Sequence, residues 1–395
     1  MPMKVNKIKS RWLQAAWLLP MAWLVSCSAD NGAAPADKAG ARPIVFSVST
    51  DIQPVTTRGV PLNELDGEFG LFCSQYTKSP GWGTGQPLNF MYNEMVIGSG
   101  NAWTTAEGYF VPASTYNLKF FAYYPYYEDV NNGGSPIVMG DRENVAFARQ
   151  FTYTLPQNAE DQKDLMYAIS DEVSANSNGE LGTVHMNFHH LLTAITIAAK
   201  GTDGGTIRRI TLKGLYSKGD FDYDAENPVL RAERDGDNLI NAYADVNMKL
   251  TSTYQTAGEG LSFMIILQPV TEGENPQPNL YNSAQMEVTF DANDGKTYTF
   301  TKSLSDLATA LTTSRHTLLQ LSVESFQKIQ VKATITDWNH GANFDGAVSD
   351  QPQIELEPLI SDWSATDDND NSTTTNITTG PNPTVTGYAA PTPEP

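Results

Sequence analysis

The strongest constraint on this chain is a two-residue alternation of apolar and other side chains that recurs along its length. Ile44, Phe46 and Val48 alternate with Val45, Ser47 and Ser49. Leu118, Phe120 and Ala122 repeat the pattern, as do Met286, Val288 and Phe290. Successive side chains of an extended chain point to opposite faces, so this period predicts strands with one face toward a core. The residues that carry it are β-branched or aromatic, the types that suit a pleated, half-buried surface. Asp294-Gly295, between 286–290 and 297–301, predicts a hairpin, and Asp235-Gly236 marks another turn. Only Leu304, Leu307 and Leu311 have helical spacing, enough for about two turns. Thirty glycines and 23 prolines punctuate the short apolar runs, and the reading is all-β, of the sandwich kind. The small and polar run Ala175-Asn176-Ser177-Asn178-Gly179 separates two strand-rich stretches. Two successive sandwiches are therefore expected, over 43–178 and 179–345.

The N-terminus sets the compartment. Lys4, Lys7, Lys9 and Arg11 precede an uncharged apolar run over 12–25. That run is short for a mature membrane span and suits the core of a signal peptide. It ends in Leu24-Val25-Ser26-Cys27, which looks like a bacterial lipobox. Residues 1–27 are read as a lipoprotein signal peptide, with Cys27 as the acylated N-terminus of the mature chain. Several acyl chains, each contributing about 0.8 kcal/mol per buried CH₂, would anchor it to the outer membrane. Residues 28–42, rich in Ala, Gly, Asp and Pro, form a tether.

Charge and cysteine content narrow the function classes. The chain has 25 Lys and Arg against 45 Asp and Glu, a net charge of −20. Loss of the four basic leader residues takes this to about −24, a surface that repels nucleic acid and anionic lipid. Of the two cysteines, acylation of Cys27 leaves Cys73, so neither an internal disulfide nor a cysteine zinc site can form. Cys73 follows Gly70-Leu71-Phe72 and reads as a buried structural thiol.

No catalytic constellation stands out, and neither an enzyme activity nor a cofactor is expected. Gly295-Lys296-Thr297 ends like a phosphate loop, but Phe290 stands where its first glycine belongs. Asp291-x-Asn293-x-Gly295 begins like a calcium loop and lacks the closing glutamate. His185, His189 and His190 share one expected strand. His185 and His189 fall on one face about 13 Å apart, too far to chelate one ion, and His190 falls on the other with Val184, Met186 and Phe188. Tyr123, Tyr124, Tyr126 and Tyr127 surround Pro125. Such rings could form a sugar platform, but the strand Phe120-Phe121-Ala122 leads into them and favours packing. A glycan-binding surface lipoprotein remains the alternative function.

The C-terminal region changes character. From Ser364 the chain is Thr, Asn, Asp and Pro, ending Pro391-Thr392-Pro393-Glu394-Pro395. Residues 364–395 cannot bury enough apolar surface to order themselves and are expected to be a disordered tail. Before them, within 346–363, Ile354, Leu356 and Ile360 alternate with Glu355, Glu357 and Leu359 around Pro358.

Taken in order, several strings resemble the fimbrillin family of Bacteroidetes, the Mfa-like pilus subunits. They are Ile44-Val45-Phe46-Ser47, Thr56-Thr57-Arg58 and Gly70-Leu71-Phe72, then Phe120-Phe121-Ala122-Tyr123-Tyr124-Pro125 and Asp164-Leu165-Met166-Tyr167-Ala168. Phe188, His190 and Leu192, Ile210-Thr211-Leu212, Gly219-Asp220-Phe221 and Ile335-Thr336-Asp337-Trp338 complete the series. Ser314-Arg315-His316-Thr317 departs from it where relatives carry Gly and Tyr, and the Thr/Pro-rich tail is also unusual. The resemblance implies two tandem transthyretin-like Greek-key sandwiches and a role as fimbrial subunit or as tip or anchor adhesin. It further implies a cut after an arginine by a trypsin-like protease, loss of the first strand, and acceptance of a strand from another subunit. The matching residues here are Arg58 and Gly59 for the cut, Ile44, Phe46 and Val48 for the displaced strand, and Ile354, Leu356 and Ile360 for the donor strand. The implied partners are other fimbrial subunits, joined head to tail, and surface ligands of host or bacteria.

Overall fold

The computed structural model describes residues 43–50, 65–83, 85–99, 102–233, 238–256, 262–267, 280, 283–304, 311, 314, 316–325, 328–336 and 365–367. In chain order the first strands are β1 (Val45–Thr50), β2 (Asp66–Thr77), β3 (Met91–Ser99), β4 (Ala102–Thr105) and β5 (Tyr116–Tyr124). Next come β6 (Ile137–Met139), β7 (Gln150–Thr154), β8 (Met166–Ile169), β9 (Val184–His190), β10 (Thr193–Gly201) and β11 (Thr206–Tyr216). Then follow β12 (Lys218–Asp222), β13 (Arg231–Ala232), β14 (Leu239–Lys249), β15 (Gln255–Thr256) and β16 (Ser262–Ile265). The last are β17 (Gln285–Asp291), β18 (Thr297–Ser303), β19 (His316–Ser325), β20 (Lys328–Thr336) and β21 (Ala365–Asp367). A single 3-10 turn, Ala159–Asp161, is the only helical element among the described residues. The fold is all-β, and no helix among the described residues is long and apolar enough to cross a membrane.

Seven strands close a ring in the order β1-β4-β3-β2-β5-β8-β9. Its interior is aromatic: Phe46, Phe69, Trp103, Phe120 and Phe188 pack with Leu71, Cys73, Val184 and Met186. The alternation of Ile44, Phe46 and Val48 is realised, with Ile44 and Phe46 buried and Val45 and Ser49 exposed. β5 differs from the one-faced strand expected. Leu118, Phe120 and Ala122 face the ring interior, while Phe121 and Tyr123 on the opposite face belong to a second core. That second core also takes in Phe151, Tyr153, Phe221 and Tyr223 from the sheet β13-β12-β7-β6 and its flanks. Gly70, the cross-strand partner of Tyr123 in the β2–β5 ladder, leaves room for that ring, because a Cβ there would lie 2.2 Å from it.

A third core is aliphatic and lies between two sheets, β15-β10-β19-β20 with β16 on β10, and β14-β11-β17-β18-β21. Ile195, Ile197, Leu319 and Leu321 from the first meet Ile207, Ile210, Leu212, Met286 and Val288 from the second. The expected hairpin joins β17 to β18, with Asp291 opposite Thr297 and Gly295 at a φ of 85° in its turn. The Leu304–Leu311 helical spacing and the Asp235-Gly236 turn fall largely or wholly outside the described residues.

Chain on both sides of 178/179 contributes to the first ring, since β9 follows the Ala175–Gly179 run and pairs with β1 and β8. β12 likewise returns to pair with β7. At the far end, Ala365–Asp367 pairs with β18 through Tyr298, Thr299 and Phe300. The stretch expected to be tail thus supplies three paired residues, because a short extended segment can satisfy its main chain on an open sheet edge even without an apolar face.

Candidate functional site

β1 is where the sequence-level expectations and the geometry meet. It lies between two strands of opposite sense, antiparallel to β4 through Val45↔Thr104 and Phe46↔Trp103, and parallel to β9 from Phe46↔Val184 to Thr50↔Phe188. It alone joins these two strands in the ring, so the ring is closed by the first strand of the described chain. The other neighbour of β9 is β8, which pairs with it only at His189 and His190. Withdrawal of β1 would therefore strip most of β9 of its ladder and leave one edge of β4 bare. Unpaired main-chain donors and acceptors at such an edge are a template for another strand.

Phe46 is the anchor of β1. Its ring is fully buried and meets Phe69 and Phe120 edge-on, at centroid distances of 6.1 and 5.5 Å. Trp103 and Val184 are its lateral neighbours across the two ladders. Edge-to-face geometry suits the quadrupoles of these rings, and burial of one Phe contributes about 1.5–3 kcal/mol. Ile44, 3 % exposed, fills the next seat, and Val48 packs against the same core from partial burial. Ile44 is pinned by its main chain: its N–H donates to Thr105 Oγ1 at 3.1 Å and its carbonyl accepts from the Thr105 N–H at 3.2 Å.

The outward face of β1 is polar toward β9. Ser47 hydrogen-bonds His185 Nδ1, and Ser49 Oγ donates to Asn187 Oδ1 at 2.8 Å. Toward β4 it is apolar, with Val45 and Ile97 both exposed beside Thr104. Each exposed hydrogen bond adds little net stability, so inward packing dominates retention of the strand.

The other singled-out residues divide between structural use and positions outside the described residues. Cys27, Arg58, Gly59, Ile354, Leu356 and Ile360 lie outside the described residues, as does Trp338. Cys73 is a buried free thiol in the ring interior, and its burial pushes its pKa well up. His190 lies on the inward face of β9 with Val184, Met186 and Phe188, and its Nδ1 is 2.8 Å from Asp164 Oδ2. His185 and His189 occupy the opposite face, His189 beside the Tyr167 ring. Asp291 accepts from Thr297 across the hairpin and from Arg208 of β11, and Asn293 donates to the Asp203 carbonyl between β10 and β11, so both have structural partners. Among the described residues no cluster of three or more His, Cys, Asp or Glu is arranged to hold a metal.

Of the tyrosine run, Tyr123, Tyr124 and Tyr127 pack against the cores, and Tyr126 is half-buried outside them. Tyr123 is buried, its hydroxyl donates to Asn93 Oδ1 at 2.7 Å, and its ring stacks on Tyr127 with planes 3° apart. Burial holds both phenols neutral well beyond the ordinary range, Tyr127 at about 12. Trp103 is in the ring core and Trp82 lies under Lys119 and Arg149. Neither offers a free face of the kind a sugar platform needs.

Sequence reasoning missed Trp103 and Thr105, which flank β1, because the four-residue β4 is too short for a periodic signal. It also missed Arg149, 1 % exposed, which grips Asp224 with Nε at 2.9 Å and donates to the Gln86 carbonyl. An Arg-to-carboxylate pair that joins loops 75 residues apart has no local signature.

The Fimbrillin-like family model matches residues 63–338. A candidate cell adhesion protein of Bacteroides ovatus is 16% identical with a TM-score of 0.47, over 76% of this chain and 98% of its own. A fimbrial protein of Bacteroides vulgatus is 19% identical with a TM-score of 0.42, over 74% and 99%. The fimbrial anchor protein Mfa2 of Porphyromonas gingivalis is 11% identical with a TM-score of 0.29, over 76% and 99%. No curated protein matches the chain. With most of its strands inside the matched region, the chain belongs to the fimbrillin-like family.

Proposed function

We propose that this protein is a fimbrial subunit, or the tip or anchor component of a fimbrium, exported as a lipoprotein on Cys27 and assembled by strand exchange. A protease that cuts Arg58-Gly59 severs the only covalent link between β1 and the body. β1 then leaves, and the slot between β4 and β9 receives a strand from a neighbouring subunit. The chain in turn gives its own segment 354–360 to another neighbour. A strand added in this way gains main-chain hydrogen bonds from both slot edges and register from its inward side chains. Donor and acceptor are different segments of the chain, so the contact is head to tail and can propagate into a filament. The observation that carries this reading is the position of β1, the strand that closes the ring and that one cut in 51–64 would leave without a covalent tie to the body.

N-terminal sequencing of protein taken from surface fimbriae tests it. Chains that begin at Gly59 are expected in the filament, with the Cys27 form confined to the precursor or to an anchor. Filaments made of chains that still carry β1 would overturn the proposal.

A further inference from the structure

We infer that the slot vacated by β1 is built for a donor strand with an aromatic residue at its centre, so this subunit accepts a strand from a different protein and not from a second copy of itself. The inference rests on the strand-exchange reading and adds the chemistry of the partner.

β1 is the template. Its central inward residue is Phe46, seated edge-on between Phe69 and Phe120 with Trp103 and Val184 beside it. A smaller side chain in that seat leaves a cavity among rings that can relax only partly. The own candidate donor reads Ile354-Glu355-Leu356-Glu357-Pro358-Leu359-Ile360. With Ile354, Leu356, Pro358 and Ile360 inward, in either chain direction, the Phe46 seat receives leucine, isoleucine or proline. The opposite phase would bury Glu355 and Glu357 and is excluded by the cost of desolvating two carboxylates.

Proline adds a second mismatch. β1 runs along β9 from Phe46 to Thr50 without interruption, whereas Pro358 lacks the N–H that a paired strand between two neighbours must donate. One feature favours the own segment, since Glu355 or Glu357 would stand where Ser47 faces His185. That position is on the exposed face, where a charge pair is worth little. The inward seat decides.

The test uses the full chain, cut with limited trypsin and compared with an Arg58→Gln control. Cys73 shares the core with Phe46 and is buried, so maleimide labelling mapped to the Cys73 peptide reports whether the slot is filled. Three synthetic peptides are titrated into the opened protein: residues 43–51, residues 353–361, and residues 353–361 with Leu356→Phe and Pro358→Ser. The first and third are expected to protect Cys73 at concentrations at least about tenfold lower than the second. Equal protection by the unmodified 353–361 peptide overturns the inference and leaves strand exchange standing. So does an opened slot that takes none of the three. A cut chain that keeps its first strand, with Cys73 unreactive, overturns strand exchange itself and the inference with it.

Discussion

The ring and the aliphatic sandwich each pair their first strand with a parallel neighbour and differ in how firmly that strand is held. In the ring the opening strand β1 runs parallel to the final strand β9; in the sandwich β10 runs parallel to β19. The ladder of β1 spans Phe46 to Thr50 on one side and only Val45 and Phe46 on the other. That of β10 spans Ala194 to Gly201 against β19, and its other edge is covered by β16 and β15. β10 is also continuous with β9 through Leu191 and Leu192, both buried. The two parallel ladders are therefore unequal in retention. β1 is held chiefly by an aromatic seat and two short ladders, whereas β10 cannot leave without unfolding its sandwich.

Alkali should separate the two regions most strongly. Burial raises the phenols of Tyr123, Tyr153 and Tyr223, all in the aromatic layer behind the ring, well above the ordinary value. A group with a raised folded pKa stabilises the fold fully below its unfolded pKa, about 10 for tyrosine, and that contribution is lost as pH climbs toward the folded value. Near-UV circular dichroism followed with tyrosinate absorbance should show this layer loosening above about pH 10, before the aliphatic sandwich. Simultaneous loss of both regions would erase the contrast.

Phe46→Ala should cost about 3–5 kcal/mol in the uncut chain, through lost burial and a residual cavity. The cost should vanish once β1 has been removed, and denaturant titration before and after cleavage reads both. Ile197→Ala, buried in the sandwich core, should cost about 2–5 kcal/mol and should cost the same after cleavage. Ser49→Ala removes one exposed hydrogen bond to Asn187 and should change stability by about 0.5–1 kcal/mol at most. A Ser49→Ala effect as large as that of Phe46→Ala would show that the polar face, and not the seat, retains the strand.

Much of this was legible in the sequence where the signal is local. Alternation assigned Ile44 and Phe46 to the inside of a strand and His190 to the face of Val184, Met186 and Phe188. Asp294-Gly295 placed the β17–β18 hairpin through the backbone freedom of Gly295. What alternation cannot give is the partner of a strand. The pairing of β1 with β9 joins residues 138 apart, and the face pattern of each strand is compatible with many neighbours. β5 was half-read for a related reason: Phe121 and Tyr123 are apolar on the face that alternation treats as outward, and only the second layer explains them. β1 was thus legible as a strand with one apolar face, but its seat was not, because Trp103 and Thr105 sit on a strand too short to announce itself.

The separability of β1 can be measured directly by native mass spectrometry of the full chain after a cut confined to Arg58-Gly59. The account predicts that the fragment ending at Arg58 dissociates, or exchanges with an isotopically labelled 43–58 peptide, while the body from Gly59 stays folded. A fragment that remains bound and refuses exchange until the body itself unfolds would contradict it.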